Sequence, residues 1–480
     1  MTGEPVVLAS NRGPVTFERR GDGFAIRRGA GGLAGALDPV ARELGERAVW
    51  ICAANSEADR AAVRAGEHLR LAGELGYALD MLDLDPITYT RYYDVVSNRM
   101  LWFAHHCLLD ELGIEGFGHD EVSAFEQAYE PVNRRFARAA AEHSRGEGLV
   151  LFQDYHLSTA PAHLRRSASV AVVGHFTHTP FATPAVLERL PGPLPSLIVQ
   201  GLLAADLIGF HTEPWAANLG ACCEALGGRF DPARGVAELG ERRAWVRTYP
   251  IPIDAQGLAE RAAGAAAERW AERFAGQPGR LVVRADRTEP SKNIVRGFEA
   301  FGLLLDRRPE LRGEVRFIAC VYPSRQSLPE YRDYTTRIEN AVAAVNARHP
   351  HAIELYLKDD YDRTLGALTV YDVLLVNPLM DGMNLVSKEG PAVNRRDGVL
   401  VLSRGAGSYG ELGEHAVTID DARDVEETAE ALGHALDRAA PERARRAAAL
   451  RAVVTGRSPQ DWICAQLDDL EAIRAGGGLD

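Results

Sequence analysis

The sequence predicts an α/β protein made of two doubly wound domains. Short runs of consecutive apolar residues recur along the chain, and Ala-rich stretches of helical period separate them. Scale supports the same reading. A chain of 480 residues, 46% hydrophobic and 25% charged, is large enough for more than one core and has the ordinary balance of a globular protein. That composition excludes a collagen-like repeat, a disordered tail and a disulfide miniprotein.

The strands are expected, in order, at Val6–Ser10, Ala48–Ala53, Leu149–Gln153, Val170–Thr177, Leu207–Phe210 and Trp245–Tyr249. A second series follows at Leu281–Ala285, Val315–Tyr322, Ile353–Lys358, Val373–Asn377, Val399–Ser403 and Ala416–Ile419. Apolar residues at successive positions suit parallel strands covered on both faces. Helical stretches such as Glu213–Leu226, Lys292–Arg307 and Pro329–Arg348 lie between them, which is βαβ alternation. Near Tyr249–Ile253 the prolines Pro250 and Pro252 favour extended backbone, so the chain should pass there from one domain to the next. A helix over about Ala255–Phe274 then stops at the Gly276–Gly279 turn, and beyond Asp424 the pattern is helical to about Arg474. The expected organisation is an N-terminal Rossmann-like domain over 1–250, a second over 251–455, and a helical segment over 456–480 that could cross back to the first. The cleft between the domains is the default ligand site.

Charge and cysteine usage limit the partners. Lysine and arginine number 54 against 67 acidic residues, a net charge of −13, so the chain lacks the basic footprint of a duplex-DNA binder. A phosphate-bearing ligand would need a local cationic pocket. The six cysteines form no C-x-x-C pair, the histidines show no convincing ligand spacing, and no metal or cofactor is expected. The first residues carry neither a basic nor an apolar leader region, and no apolar run approaches the ~20 residues of a membrane span. A cytoplasmic protein without membrane contact is expected. Self-association into a homo-oligomer stays open.

Four segments carry candidate chemistry. Gly29–Gly35 is glycine-rich and precedes a helix, a pattern that lets backbone amides approach a phosphate but that can equally serve a tight turn. Arg287 and Lys292 follow the first strand of the second half, where they could hold a diphosphate or merely be solvated. Asp381–Glu389 follows the strand Val373–Asn377. A helix starting near Asn384 would offer free N–H groups to a phosphoryl oxygen or sugar hydroxyl, with Asp381 as acceptor, although an Asp cap with a solvated Glu fits too. In the first half, Asp154–His156 and His178–Pro180 end successive strands, where α/β chemistry resides.

Taken in this order, the segments resemble the trehalose-6-phosphate synthase family, retaining glycosyltransferases with two facing Rossmann domains (GT-B) and the active site in the interdomain cleft. The matching positions are Ser10–Arg12, Gly31–Leu33, Tyr93 with Ser97-Asn98 and Leu101-Trp102, Asp154–Leu157, His178, Pro180-Phe181, Thr183-Pro184, Gly209–Thr212, Arg287 with Lys292, Ser324-Arg325, and Asp381–Glu389. The resemblance implies that Arg12 and Arg325 grip the phosphate of glucose 6-phosphate, that Tyr93 and Trp102 shape the acceptor pocket and that Asp154 contacts the acceptor sugar. It implies that His178 and Asp381 hold the donor glucose, Arg287 and Lys292 its diphosphate, and Glu389 the ribose. Gly32 and the amides of Asn384, Leu385 and Val386 would lie against phosphate or sugar. Of these, His178, Asp154, Arg287, Lys292 and Asp381 are the expected catalytic set, for transfer of glucose from a nucleotide-glucose to glucose 6-phosphate with retention.

Several positions depart from the family strings. Gln153 stands where a His is usual, Met380 replaces an Arg, Thr288-Glu289-Pro290 replaces Leu-Asp-Tyr, and Asn293 replaces a Gly. These departures resemble the pseudo-glycosyltransferases that couple a nucleotide-activated cyclitol to an aminocyclitol phosphate, whereas the intact Asp381–Glu389 string favours a synthase. Near the base-reading region, Asp359, Asp360 and Asp362 form an acidic cluster. Carboxylates can accept from the N–H edge of guanine, so GDP-glucose is expected over UDP-glucose. A nucleotide-sugar sensor is disfavoured because Arg12, Tyr93, Trp102 and Arg325 are all present. A synthase–phosphatase is expected to need a further domain, and an NAD dehydrogenase lacks its fingerprint here.

Overall fold

The computed structural model describes residues 4–21, 23–28, 32–167 and 171–479. The chain divides into two compact units, one running to Ile251 and including Pro459 onward, the other Pro252–Ser458.

The strands of the first unit are β1 (Val6–Ala9), β2 (Val15–Arg20), β3 (Gly23–Arg28), β4 (Ala48–Ala53), β5 (Ala78–Leu82), β6 (Leu149–Gln153), β7 (Val172–Thr177), β8 (Leu207–Phe210), β9 (Arg229–Asp231), β10 (Val236–Leu239) and β11 (Arg242–Thr248). Nine of them form one sheet in the order β5-β4-β1-β6-β7-β8-β11-β10-β9, and β2 pairs with β3 as a separate antiparallel ribbon. Every residue of β1, β4, β6, β7 and β8 is buried, as continuous apolar runs between helical layers require. The antiparallel edge β9–β10–β11 and the ribbon are more exposed. Mixed polarity hid the ribbon, β9 and β10, together with β5, from a reading based on apolar runs, whereas β11 overlaps the expected strand Trp245–Tyr249. Of the expected strand Val170–Thr177, Val170 lies outside the described residues, as do Gly29–Gly31 of the glycine loop.

The second unit contains β12 (Arg280–Arg287), β13 (Val315–Tyr322), β14 (Ile353–Leu357), β15 (Val373–Val376), β16 (Val399–Ser403) and β17 (Val417–Ile419), parallel throughout, in the order β14-β13-β12-β15-β16-β17. One face packs under Phe298, Phe301 and Ile338, the other under Ala271, Leu365 and Leu368. The single helix expected over about Ala255–Phe274 is two, Ala255–Ala262 and Ala265–Ala275. The break falls at Gly264, whose N–H turns back to the Arg261 carbonyl.

Each sheet has a point where its parallel winding reverses. In the first, the chain builds outward from β1 through β4 to β5 and then returns to β6 on the other side of β1. In the second, it builds from β12 through β13 to β14 and returns to β15 beside β12. At such a switch point adjacent loops diverge from the carboxyl ends of the strands and leave a crevice. The segments after β1, β6, β12 and β15 therefore hold the places where ligands are expected.

The last helix, Pro459–Arg474, belongs to the first unit. Trp462 is fully buried, donates Nε1–H to the Tyr249 carbonyl at 2.9 Å and meets Phe176 edge-on at 5.0 Å. Replacing a buried Trp by Ala costs about 3–5 kcal/mol. Trp462→Ala is expected to lower the stability of the first unit by that order in a urea titration followed by circular dichroism, with the second unit's transition unmoved.

Candidate active site

The first switch point is built from the residues just after β1 and β6. Trp50 Nε1 donates to Ser10 Oγ at 2.8 Å, and Ser10 Oγ donates to the Arg12 carbonyl at 2.6 Å. These bonds fix the turn that presents Arg12. Its guanidinium donates to the Tyr93 hydroxyl at 3.2 Å. Tyr93 projects from Arg91–Leu101, a wide π-type helix, and stacks on Tyr89 and on His156 with ring centroids 5.4 and 5.6 Å away. Wide turns of this kind recur at functional sites. Trp102, on the turn that follows, stacks on His106 at 3.9 Å and meets Tyr155 edge-on.

After β6 the backbone of Asp154 takes φ 73°, unusual for a residue with a side chain. That turn lets Asp154 Oδ1 accept from the His178 N–H at 3.1 Å while Oδ2 lies 3.7 Å from His156 Nδ1. His178 Nε2 faces the Gln153 carboxamide oxygen at 2.8 Å, so the ring proton sits on Nε2 and Nδ1 is its acceptor. Desolvation pushes the His178 pKa well below its usual value, and His211, His175 and His156 add to the effect. Burial likewise brings His175 down to about 3. His175 and His178 are therefore neutral at pH 7 and offer hydrogen bonds, not charge.

The second switch point is organised by ions. Arg284, fully buried in β12, donates Nε and a terminal nitrogen to Asp286 Oδ2 at 3.0 and 2.8 Å and reaches the Lys292 carbonyl at 3.0 Å. The loop is thus tied to the strand it leaves. Glu289, also fully buried, accepts on Oε1 from Arg325 at 2.6 Å and from Ser324 Oγ at 3.2 Å, with Arg287 at 3.3 Å. Lys292 Nζ meets Asp381 Oδ2 at 2.5 Å, and Asn384 Nδ2 donates to the same oxygen at 3.0 Å. Desolvation opposes the Lys292 charge, but Asp381, Asp286 and Glu289 outweigh it and leave its pKa raised. Lys292 is therefore cationic in a nearly dry setting.

Asp381 is held by its own backbone, whose N–H donates to the Gly405 carbonyl at 2.8 Å and whose carbonyl accepts from Gly407 at 3.1 Å. The two loops touch so closely that a Cβ on Gly407 would stand 2.0 Å from the Gly382 oxygen. The helix that follows spans Val386–Val393, two residues later than the expected start, because Asn384 sits at φ 73° and its side chain accepts from Ser387 N–H at 3.2 Å. Lys388 anchors that helix from beneath by pairing with Glu411 at 2.6 Å. Burial raises the Glu389 carboxyl to about 7, although the Tyr361 hydroxyl bonded to it works the other way.

The expected site residues thus fall into two groups. Arg12, Tyr93, Trp102, Asp154 and His178 gather at the first switch point, and Arg287, Lys292, Arg325, Asp381, Asn384, Leu385, Val386 and Glu389 at the second. Gly32 opens the helix Gly32–Leu44 of the first unit. Sequence reasoning missed Arg284, which reads as a charge interrupting an apolar strand, and missed the partners Glu289, Tyr331, Tyr361 and Glu411. Of the acidic cluster, Asp360 caps the helix Tyr361–Val370 by accepting from Arg363 N–H, and Asp362 pairs with Arg261 at 3.1 Å. Asp359 is exposed. Among the described residues no group of three or more His, Cys, Asp and Glu is disposed to hold a metal ion, and no helix is long and apolar enough to cross a membrane.

Residues 4–472 match the family described as glycosyltransferase family 20. The chain is 32% identical over 477 residues to the bifunctional trehalose-6-phosphate synthase/phosphatase of Thermoproteus tenax, covering 95% of this chain and 62% of that protein, so it spans less than two thirds of that relative's length. It is 32% identical over 489 residues to the trehalose-6-phosphate synthase of Mycobacterium bovis, covering 97% of this chain and 94% of the relative. The solved α,α-trehalose-phosphate synthase (UDP-forming) of Burkholderia xenovorans, in complex with glucose-6-phosphate, aligns with a TM-score of 0.81 at 25% identity, covering 97% of this chain and all 100% of the other. The E. coli trehalose-6-phosphate structure bound with UDP-2-fluoro glucose aligns with a TM-score of 0.82 at 26% identity, covering 98% and 99% of the two chains. Two Rossmann-like units of the GT-B class, the matched span and these relatives agree: the chain belongs to glycosyltransferase family 20.

Proposed function

We propose that this chain transfers glucose, with retention, from a nucleotide-glucose to glucose 6-phosphate, giving α,α-trehalose 6-phosphate. The observation that carries the reading is the Lys292–Asp381–Asn384 cluster beside Arg287 at the second switch point. It combines fixed cations with a sugar-directed carboxylate. Arg287 and Lys292 take the donor diphosphate, Asp381 and the amides of Asn384, Leu385 and Val386 take sugar and phosphate oxygens, and Glu389 accepts from the ribose hydroxyls. On the acceptor side, Arg12 and Arg325 take the sugar phosphate, guanidinium forks matching its oxygens in pairs. Tyr93 and Trp102 shape the pocket, while Asp154 and neutral His178 bind sugar hydroxyls.

In the reaction, the bond between the donor anomeric carbon and the diphosphate oxygen breaks and a bond to the acceptor hydroxyl forms on the same face. The acceptor's proton passes to the departing phosphate oxygen. Negative charge grows on the diphosphate, where a Lys, an Arg and a helix N-terminus already stand oriented, so stabilisation needs no rearrangement at the moment of transfer. The preference for guanine now rests on Asp359, because Asp360 and Asp362 have structural partners. Incubation with glucose 6-phosphate and UDP-, GDP- or ADP-glucose in turn, followed by proton NMR of the product, is expected to give an α,α-linked disaccharide phosphate. Nucleotide release without disaccharide would sink the synthase reading, and equal turnover of UDP- and GDP-glucose would sink the guanine preference.

Lys292→Ala is expected to lower kcat about 10²–10³-fold, the scale for one fixed donor to a developing charge, in steady-state assays at saturating substrates. A change confined to KM would assign Lys292 to ground-state binding.

Glu389 gives a pH dependence whose sign is fixed. Its carboxyl is raised to about 7, so at pH 8 it is the ionised acceptor of ribose hydroxyls and at pH 6 it is mostly protonated. With acceptor saturating, kcat/KM for the donor is expected to fall as pH drops through about 7, approaching tenfold per unit, and Glu389→Gln is expected to flatten that limb. A limb that survives in Glu389→Gln belongs to another group.

A further inference from the structure

Glu289 is the one-carboxylate meeting point of two guanidiniums that the proposed function assigns to different substrates. Its side chain is fully buried, and a single oxygen, Oε1, lies 2.6 Å from Arg325, 3.3 Å from Arg287 and 3.2 Å from Ser324 Oγ. Arg325 is further fixed by the Tyr331 hydroxyl at 3.1 Å and by the face of that ring, 5.6 Å from the guanidinium carbon. The backbone at Arg325 holds φ 45°, a strained setting for a residue with a side chain. The Ser324 N–H donates to Thr288 Oγ1 at 3.2 Å and Arg325 accepts from the Leu328 N–H at 2.9 Å, so the turn is tied to the residue preceding Glu289. Two like-charged guanidiniums this close repel each other, and a shared anion between them fixes their separation.

We infer that Glu289 is a positioning residue that sets the spacing of Arg287 and Arg325, so that one side chain governs recognition of both the donor diphosphate and the acceptor phosphate. The inference rests on the proposed roles of those two arginines. Glu289 touches neither substrate. It acts by holding both forks in the geometry that phosphate requires, so its loss weakens two binding events together.

The test compares KM values for nucleotide-glucose and for glucose 6-phosphate in Glu289→Gln, Glu289→Asp, Arg287→Lys and Arg325→Lys, using donor of the best-turned-over base. Glu289→Gln, near in shape but uncharged, is expected to raise both KM values about tenfold. Glu289→Asp, which keeps the charge but withdraws the oxygen by one methylene, is expected to raise both by a smaller, paired factor. Arg287→Lys should raise chiefly the donor KM and Arg325→Lys chiefly the acceptor KM. A purely structural Glu289 would reduce the folded fraction and lower the maximal rate while leaving both KM values in place, and that result overturns the inference. A rise in only one KM overturns it as well. If Glu289→Gln does not fold, Glu289→Asp decides by the same pairing. If the arginine variants themselves fail to divide between donor and acceptor, the site reading has failed and the inference falls with it. An intact division with unpaired Glu289 effects leaves the site reading standing and removes the inference alone.

Discussion

The second unit is governed by the rule that a charge removed from water must be matched by another. A group built to bind phosphate needs fixed cations with little surrounding water, because water would screen them and reorganise during transfer. The same dryness makes an unmatched cation costly, on the order of 3–5 kcal/mol when one partner of a buried pair is missing. The carboxyl end of β12 and the segments after β12, β13 and β15 pair their charges: Arg284 on Asp286, Arg325 and Arg287 on Glu289, and Lys292 on Asp381. The carboxylates keep the cations folded into place. They also set what a ligand must replace or share when it arrives.

Those pairs require unusual backbone. Asn293, Arg325 and Asn384 all sit at positive φ, at 57°, 45° and 73°, and each lies at the turn that redirects the chain after a strand or into a helix. Asn tolerates this region better than most residues with a side chain, which explains how Asn293 can stand where the family commonly has Gly. Its side chain donates to the Ala422 carbonyl at 2.5 Å, an anchor that a glycine could not supply. Arg325 has no such intrinsic tolerance, so its conformation has to be held by Glu289, Tyr331 and the Thr288 hydroxyl. Strain and ion pairing are two sides of one arrangement there.

Much of this was legible in the sequence, and the parts that were not share a cause. Buried parallel strands announce themselves as apolar runs, so Ala48–Ala53, Leu149–Gln153, Leu207–Phe210, Val315–Tyr322 and Val399–Ser403 could be bounded to the residue. The ribbon β2–β3 and the strands β9 and β10 carry arginines and glutamates on half-exposed faces, and nothing in their pattern separates them from loops. Candidate residues could be assigned to strand ends because the βαβ order places loops for chemistry there. Their partners could not be located, since Glu289 reads as a surface loop acid until the fold buries it, and Glu411 lies far along the chain from Lys388. Within the acidic cluster, the sequence does not show that Asp360 and Asp362 have partners of their own, a helix cap and an ion pair.

The first unit solves a different problem with different chemistry. Around β6 and β7 it sets rings in place of charges, with Tyr93 against His156, Trp102 against His106, and His178 against His211 at 5.2 Å. Desolvation keeps His175 and His178 neutral, and for His178 the neighbouring histidines add to it. Neutral donors and acceptors suit sugar hydroxyls, which demand direction more than charge. A cationic cluster here would attract phosphate to the wrong end of a sugar phosphate. On the proposed reading, the charges of this group at Arg12 and Asp154 would meet the phosphate at one end, with hydroxyls bound along the rest. The division follows from the dielectric argument that began with the buried pairs: under the proposed reaction, fixed charge is concentrated where charge would develop, and neutral polar groups line the surface that would only have to choose an orientation.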